Sequence, residues 1–296
     1  ITGSTGMVGA ALIPALKAAG HDVTRLLRSP SAAGTDLVWN PDAGAIDVQN
    51  LEGFDAVVHL AGENIASGRW TPTRKERIQQ SRVKGTHLLA ESLAKLQRPP
   101  RVLVSASAIG YYGDRGAEVL SEESSPGTGF LPEVCRAWEL ATAPASNRGI
   151  RVVHLRIGIV LSTRGGALAK MLPPFRMGAG GKIGSGAQYM SWISLADLCG
   201  AVLHAVKTES LRGAVNAVSP RPITNAEFTR ALGTALHRPV IFPLPAFAAR
   251  LVFGEMADAL LLASTRIEPG RLQASGFIFQ DREIGQALAR ILNAKI

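Results

Sequence analysis

A chain of 296 residues with 46% hydrophobic and 19% charged residues can bury one large core or two moderate ones, which excludes an intrinsically disordered protein. Its net charge of +9 is spread along the chain rather than gathered with aromatic residues, which argues against nucleic acid as a partner and suits a phosphate-bearing small molecule. Two cysteines are too few for a disulfide framework, the six histidines have no metal-ligand spacing, and no apolar run reaches the roughly 20 residues of a membrane-spanning helix. A cytoplasmic protein with no metal and no membrane attachment is expected.

In chain order, Ile1-Thr2-Gly3-Ser4-Thr5-Gly6-Met7-Val8-Gly9 reads as the end of a strand, begun by residues preceding Ile1, followed by a turn and a helix with Leu12, Ile13 and Leu16 on one face. Gly3 permits the tight turn, Gly6 lets backbone N–H groups approach a pyrophosphate at the helix N-terminus, and Gly9 lets the helix pack closely on the strand. Alone, such glycines also fit a turn without a ligand. Residues 20–28 then supply a second strand at the spacing of a βαβ unit, which makes Gly3, Ser4, Thr5, Gly6, Met7, Val8 and Gly9 the expected cofactor cradle. An acid near the end of that strand would accept from the ribose 2′-hydroxyl of NAD. Here Leu27 holds the place with Arg28 beside it, so NADP(H) is expected over NAD(H), with Arg25 a competitor for the 2′-phosphate.

Residues 54–62 form an apolar strand ending in Leu60, Ala61 and Gly62, residues 74–97 a long helix, and residues 101–105 another strand. The alternation predicts an α/β fold, a Rossmann-type doubly wound parallel sheet whose ligands bind at the carboxyl ends of the strands. Leu60, Ala61, Gly62 and Ser105 sit at those ends, and His59, inside an apolar run, reads as a buried, hydrogen-bonded histidine. Residues 150–158 are a further strand. The glycine-rich segment 178–186 is either a mobile cover over a substrate pocket or a plain connection, and the stretches 171–175 and 189–192, Trp192 included, are expected as apolar walls beside it.

Residues 195–206 form a helix with Asp197 in its first turn, where a negative charge favours the dipole, and residues 214–218 form a strand. Thr224 and Glu227 make a capping-box pattern, and the tail is mostly helical. The expected organisation is an NADP-binding domain over residues 1–165, rejoined by segments from about 189–220, and a smaller C-terminal α+β substrate-side domain over most of 166–296.

Several strings together resemble an extended short-chain dehydrogenase/reductase, the group of nucleotide-sugar epimerases and dehydratases: Thr2-Gly3-x-x-Gly6-x-x-Gly9, His59-Leu60-Ala61-Gly62, Lys84-Gly85-Thr86 and Ser105-Ala106-Ser107-Ala108-Ile109-Gly110-Tyr111-Tyr112-Gly113. Residues 130–139, 155–161, 189–193, 254–258 and 276–277 narrow the resemblance to atypical epimerase-family proteins carrying a small C-terminal domain of unknown function.

In active members of the wider group a Tyr-x-x-x-Lys pair does the proton chemistry, the lysine holding the nicotinamide ribose and lowering the tyrosine pKa. Counted back from Trp138-Glu139, those places fall on Leu131 and Cys135, and neither side chain can do that work. Ser107 matches the active-site serine that the resemblance implies. Tyr111 and Tyr112 are nearby phenols that either stand in for the missing acid or serve as packing. Arg82, where relatives carry an asparagine, either brings positive charge to the substrate side or lies on the helix surface. Cys135 reads as a buried thiol without an evident base. The resemblance also places Arg156 near the nicotinamide end and allows a homodimer through helices spanning 74–97 and 133–146.

An NADP(H)-dependent oxidoreductase or epimerase-like enzyme acting on a nucleotide-linked sugar or small carbonyl compound is the expected function. A catalytically degenerate NADP(H)-binding regulator or redox sensor is the alternative, and a scaffold stabilised by nucleotide is a third.

Overall fold

The computed structural model describes residues 1–30 and 36–293. Ile1 and Thr2 lead through the glycine turn into α1 (Met7–Ala18). β1 (Leu26–Leu27) pairs parallel with β2 (Leu37–Asn40), which turns back antiparallel into β3 (Ala45–Ile46). β4 (Ala56–His59) follows, then α2 (Pro72–Ala94), started by Thr71, whose side chain accepts from the Arg74 N–H, and by a proline in its first turn. Next come β5 (Val102–Ala108), a 3-10 turn (Ile109–Tyr111), β6 (Val119–Leu120), α3 (Phe130–Leu140), α4 (Ala143–Asn147) and β7 (Arg151–Ile157).

β4, β5 and β7 are neighbours in one parallel sheet, and Thr2 bridges Leu26 on one side and His59 on the other. The first strand, short as it is, therefore sits between β1 and β4. A strand inside such a sheet is covered on both faces, and β5 is buried from Val102 to Ser107. Its pleat divides two cores. Val102 and Val104 pack with Leu12 and Leu16 of α1, whereas Leu103 packs with Leu89 and Leu93 of α2. Each fully buried leucine of this kind contributes about 1.5–3 kcal/mol.

Beyond the first half come β8 (Ile159–Leu161), α5 (Gly166–Arg176), β9 (Tyr189–Met190), β10 (Trp192–Ser194) and α6 (Leu195–Lys207). β11 (Gly213–Ala217) rejoins the main sheet, parallel to β7, while α6 packs its Leu198 and Val202 into the α1 core. Asp197 does more than meet a dipole: its carboxylate accepts from the Gln280 and Asp281 N–H groups at 2.8 and 2.9 Å.

The smaller lobe holds β12 (Ile223–Thr224), antiparallel to β9, then α7 (Asn225–Leu236), α8 (Ala246–Phe253), a π-helical turn (Ala257–Leu262), β13 (Arg266–Ile267), α9 (Gly270–Ala274) and α10 (Ile284–Asn293). The capping box is present, with the Thr224 side chain accepting from the Glu227 N–H and the Glu227 carboxylate accepting from the Thr224 N–H at 2.7 Å. Leu168, Phe175, Trp192, Phe228, Leu232 and Leu288 build the core of this lobe.

One expectation changes here, and one pair of open alternatives narrows. Trp192 is fully buried in that core, its indole N–H donating to the Arg221 carbonyl, so it forms no substrate wall. The segment 178–186 is tied by backbone bonds from Gly184 N–H to the Leu244 carbonyl and from Leu244 N–H to the Lys182 carbonyl, both 2.9 Å. It is an anchored connection. β13 pairs parallel with β6, which stitches the C-terminal lobe to the loop after β5.

Candidate functional site: two ends of a dinucleotide cleft

At the phosphate loop the geometry demands glycine. Gly3 has φ +66°, and a Cβ there would lie 2.7 Å from the Leu60 carbonyl carbon. A Cβ on Gly9 would lie 2.3 Å from the Gly3 oxygen, so α1 can approach the loop only without a side chain at this position. Gly6 caps α1 with no side-chain hydrogen bond and no acidic residue in the first turn, which leaves the N–H groups of that turn available to an anion. Thr5 and Gly6 are exposed at the crest, and Met7 lies against Gly165 and Gly166 of the loop after β8.

Ser4 is buried, and its hydroxyl has no hydrogen-bond partner among the described residues. A buried polar group left unpaired is costly. This one lies in a loop shaped for a pyrophosphate.

Beneath the loop, Thr2 Oγ1 accepts from the Leu60 and Ala61 N–H groups at 3.1 and 3.2 Å and faces His59 Nδ1 at 2.7 Å. With the oxygen already accepting twice, its one proton goes to Nδ1. The geometry therefore assigns the His59 proton to Nε2, which donates to Thr86 Oγ1 at 2.9 Å, where the Trp138 indole N–H also arrives. Burial pushes the His59 pKa down to about 4. His59 is a neutral clamp joining the first strand, α2 and α3.

The two arginines that follow the first helix differ in their surroundings. Arg25 is committed to Asp36 through paired hydrogen bonds from Nε and Nη2, the first 2.7 Å long. Arg28 is exposed and has no ion-pair partner among the described residues.

The other end of the cleft is closed on itself. Glu139 of α3 accepts from Ser107 Oγ at 2.7 Å and from Arg156 Nε and Nη2 at 2.8 and 2.9 Å. Arg156 Nη1 donates to the Tyr112 hydroxyl at 3.0 Å, and that hydroxyl donates to Asn216 Oδ1 at 2.7 Å. Tyr111 stacks on the same guanidinium, 3.4 Å from ring centroid to Cζ. Burial, against the nearby Arg156 charge and its bond to the hydroxyl, pushes the Tyr112 pKa up to about 12.

These contacts correct three expectations. Tyr112 is fully buried and holds its proton in an internal bond, so its phenol supports Arg156 rather than donating to a substrate. The Arg156 fork is spent inside the protein rather than on a cofactor. Ser105, fully buried within β5, lies beneath the site rather than in it.

Tyr111 is half-buried, and its hydroxyl bonds to no described residue. Leu131 and Cys135 lie beside Gly110, where an added Cβ would sit 3.3 Å from Leu131 Cβ and 3.7 Å from Cys135 Sγ. Burial and the Glu139 charge push the Cys135 thiol up to about 12, which makes it inert.

Glu139 and Asn216 are the polar residues that sequence reasoning missed. Glu139 carries one signal: it follows Trp138 on a helix whose Val134, Cys135 and Trp138 face inward, so it stands at the edge of a buried face. Asn216 carries a comparable one, a lone amide inside the apolar strand β11.

Fold and cleft together define a nucleotide-binding α/β protein built on a Rossmann-type sheet, with a reaction end unlike that of the active short-chain reductases. The chain belongs to the NAD dependent epimerase/dehydratase family, whose model matches residues 1–217, and residues 244–291 match a domain of unknown function, DUF1731. The epimerase family protein Mb2239 of Mycobacterium bovis is 46% identical over 288 residues, 97% of this chain and 95% of that protein.

Among solved structures, human epimerase family protein SDR39U1 (isoform 2) with NADPH is 36% identical with a TM-score of 0.92, over 99% of this chain and 98% of that one. A nucleoside-diphosphate sugar epimerase from Corynebacterium glutamicum is 40% identical with a TM-score of 0.80, over 98% of this chain and 57% of that one. No helix among the described residues is long and apolar enough to cross a membrane.

Proposed function

We propose that this protein is a cytoplasmic NADP(H)-dependent oxidoreductase or epimerase-like enzyme acting on a nucleotide-linked sugar or small carbonyl compound, and that it prefers NADP(H) to NAD(H). The observation that carries the reading is the unspent anion cradle: the uncapped first turn of α1, the unpartnered Ser4 hydroxyl, and Arg28 left exposed while Arg25 is held by Asp36. The residues fit the dinucleotide, and the human relative named above was solved with NADPH.

In this reading the loop from Gly3 to Gly9 binds the diphosphate and Arg28 pairs with the 2′-phosphate. Leu60, Ala61 and Gly62 line the cofactor at the carboxyl end of β4. When bound, the nicotinamide supplies a hydride-exchanging carbon. Ser107 orients the reacting oxygen, itself held in place by Glu139, and Tyr111 exchanges the proton. Glu139 is committed to Ser107 and to the Arg156 fork, so its carboxylate serves to position them. A homodimer through the outer faces of α2 and α3, where Leu140 is exposed, belongs to the same proposal, and light scattering reads it.

The test is titration with NADPH, NADP, NADH and NAD, followed by tryptophan fluorescence and thermal midpoint. The 2′-phosphorylated pair should bind more tightly, and Arg28→Ala should weaken that pair by about tenfold or more while leaving NADH unchanged. No binding of any of the four sinks the proposal.

Leu131 and Cys135 in the acid/base places favour a second reading, a cofactor-binding regulator without turnover. Ser107→Ala and Tyr111→Phe separate the two: an enzyme loses turnover and keeps cofactor affinity, whereas a regulator is indifferent.

A further inference from the structure

The lysine place on α3 holds Cys135, yet a cation still occupies this corner of the molecule. Arg82 reaches it from the neighbouring helix α2. Its guanidinium lies over the Trp138 ring, 5.0 Å from the centroid, and the Glu63 carboxylate acts on it electrostatically. On its other side is Gly62, at the carboxyl end of β4, where an added Cβ would sit 3.4 Å from Arg82 Cζ and 3.5 Å from Nη2.

Three features mark this as a binding group. Arg82 is half-buried, and burial pulls its pKa down, the mark of a cation taken partly out of water. Of the five N–H donors of a guanidinium, Arg82 shows one bond among the described residues, from Nη1 to the Ile78 carbonyl at 3.1 Å. Finally, the guanidinium is placed between the Trp138 ring and Gly62, at the carboxyl end of β4, where a parallel sheet of this kind binds its ligand.

We infer that Arg82 holds the nicotinamide-side ribose of bound NADP(H), performing from α2 the holding role that a lysine on α3 performs in the active reductases. The inference rests on the cofactor reading above. A guanidinium suits this work better than an amine once the tyrosine is gone: its planar fork can meet two vicinal ribose hydroxyls at once, and it has no need to tune a phenol. The Tyr-x-x-x-Lys pair thus divides into a role that is kept, holding the ribose, and a role that Leu131 cannot take, giving a proton.

The experiment measures dissociation constants of NADPH, NADH and 2′,5′-ADP for wild type, Arg82→Met, Arg82→Lys and the double variant Arg82→Met with Cys135→Lys. The adenosine fragment 2′,5′-ADP carries the 2′-phosphate but no nicotinamide-side ribose, so it reports the other end of the cleft. Arg82→Met should weaken NADPH and NADH by the same factor, about tenfold or more, and leave 2′,5′-ADP within about twofold.

Arg82→Lys, which keeps the charge, should stay within about fivefold of wild type for NADPH. The double variant, which returns the cation to α3, should regain affinity over Arg82→Met. Thermal midpoints without ligand show that each variant is folded, and Arg82→Lys with the double variant carry the test if Arg82→Met is not.

Unchanged NADPH affinity in Arg82→Met overturns the inference. So does a loss of 2′,5′-ADP affinity equal to the loss for NADPH, which would place Arg82 in the scaffold of the whole cleft. Wild type that binds neither NADPH nor 2′,5′-ADP overturns the cofactor proposal itself, and that result is distinct from both.

Discussion

The two ends of the cleft treat their polar groups in opposite ways. Around the phosphate loop, the Ser4 hydroxyl, the first turn of α1 and Arg28 are left without protein partners, although the backbone that carries them is packed so tightly that only glycine fits at positions 3 and 9. Around Ser107, the carboxylate of Glu139, the fork of Arg156, the phenol of Tyr112 and the amide of Asn216 close on one another. Buried polar groups in folded proteins are nearly always paired. The buried, unpaired Ser4 hydroxyl thus sets the loop apart from the completed network, which holds Ser107 and Arg156 in fixed places. Arg82, half-buried with one bond made, belongs with the first kind although it stands near the second.

The comparison breaks or sharpens under mutation. The largest effect is expected at Glu139. Replacing it by alanine strands Arg156, whose side chain is 5% exposed, without its counter-charge, and should cost about 3–5 kcal/mol in urea unfolding. A cost below about 1 kcal/mol would mean that the network is not scaffold.

His59 comes next, and it tests the scaffold beneath the phosphate loop. Its pKa is lowered from 6.5 to about 4 in the folded state, so below pH 6.5 the unfolded chain binds the proton first. Stability is fully present above about 6.5 and falls as the pH drops towards 4, by about 3 kcal/mol for this group. The difference in urea midpoint between pH 7 and pH 4.5 should shrink in His59→Gln. An unchanged difference would show that the Thr2, His59 and Thr86 clamp does not hold a neutral imidazole.

Two serine-to-alanine changes then set the ends directly against each other. Ser107→Ala removes a bond to a carboxylate and should cost about 1–2 kcal/mol of stability. Ser4→Ala removes a hydroxyl with no described partner, so it should leave the unliganded midpoint in place and weaken NADPH by a few-fold. Equal effects on stability would erase the distinction.

What the sequence makes legible follows the same division. The glycine spacing and the strand after it are local signals, set by backbone reach over a single βαβ unit, and they suffice to place the glycine turn at the start of α1. The reaction end is assembled from distant pieces. Tyr112 meets Asn216 across 104 positions, and Arg156 meets Glu139 from the next strand. No local pattern announces such pairings, so Tyr112 and Arg156 read as site residues while the Glu139 that holds Arg156 went unnoticed. Trp192 misleads for a related reason. An aromatic residue beside a glycine-rich segment looks like a pocket wall, until α5, α7 and α10 close over it. Arg25 and Arg28 could be told apart only once Asp36, just ahead of β2, was seen to engage the first.

The stitching of β13 to β6 bears on the order in which the molecule is made. The Glu122 carboxylate accepts from the N–H groups of Asn216 and Arg271, and the Asn216 amide donates to the Glu268 carbonyl. During synthesis the cradle itself waits for later chain, because Gly3 packs against Leu60 and α1 packs with Leu198 and Val202 of α6. The reaction end must wait for the chain to pass residue 271 before its buried acid and amide find partners. The cradle can therefore settle once α6 has been made, whereas the reaction end is completed only by residues after β11.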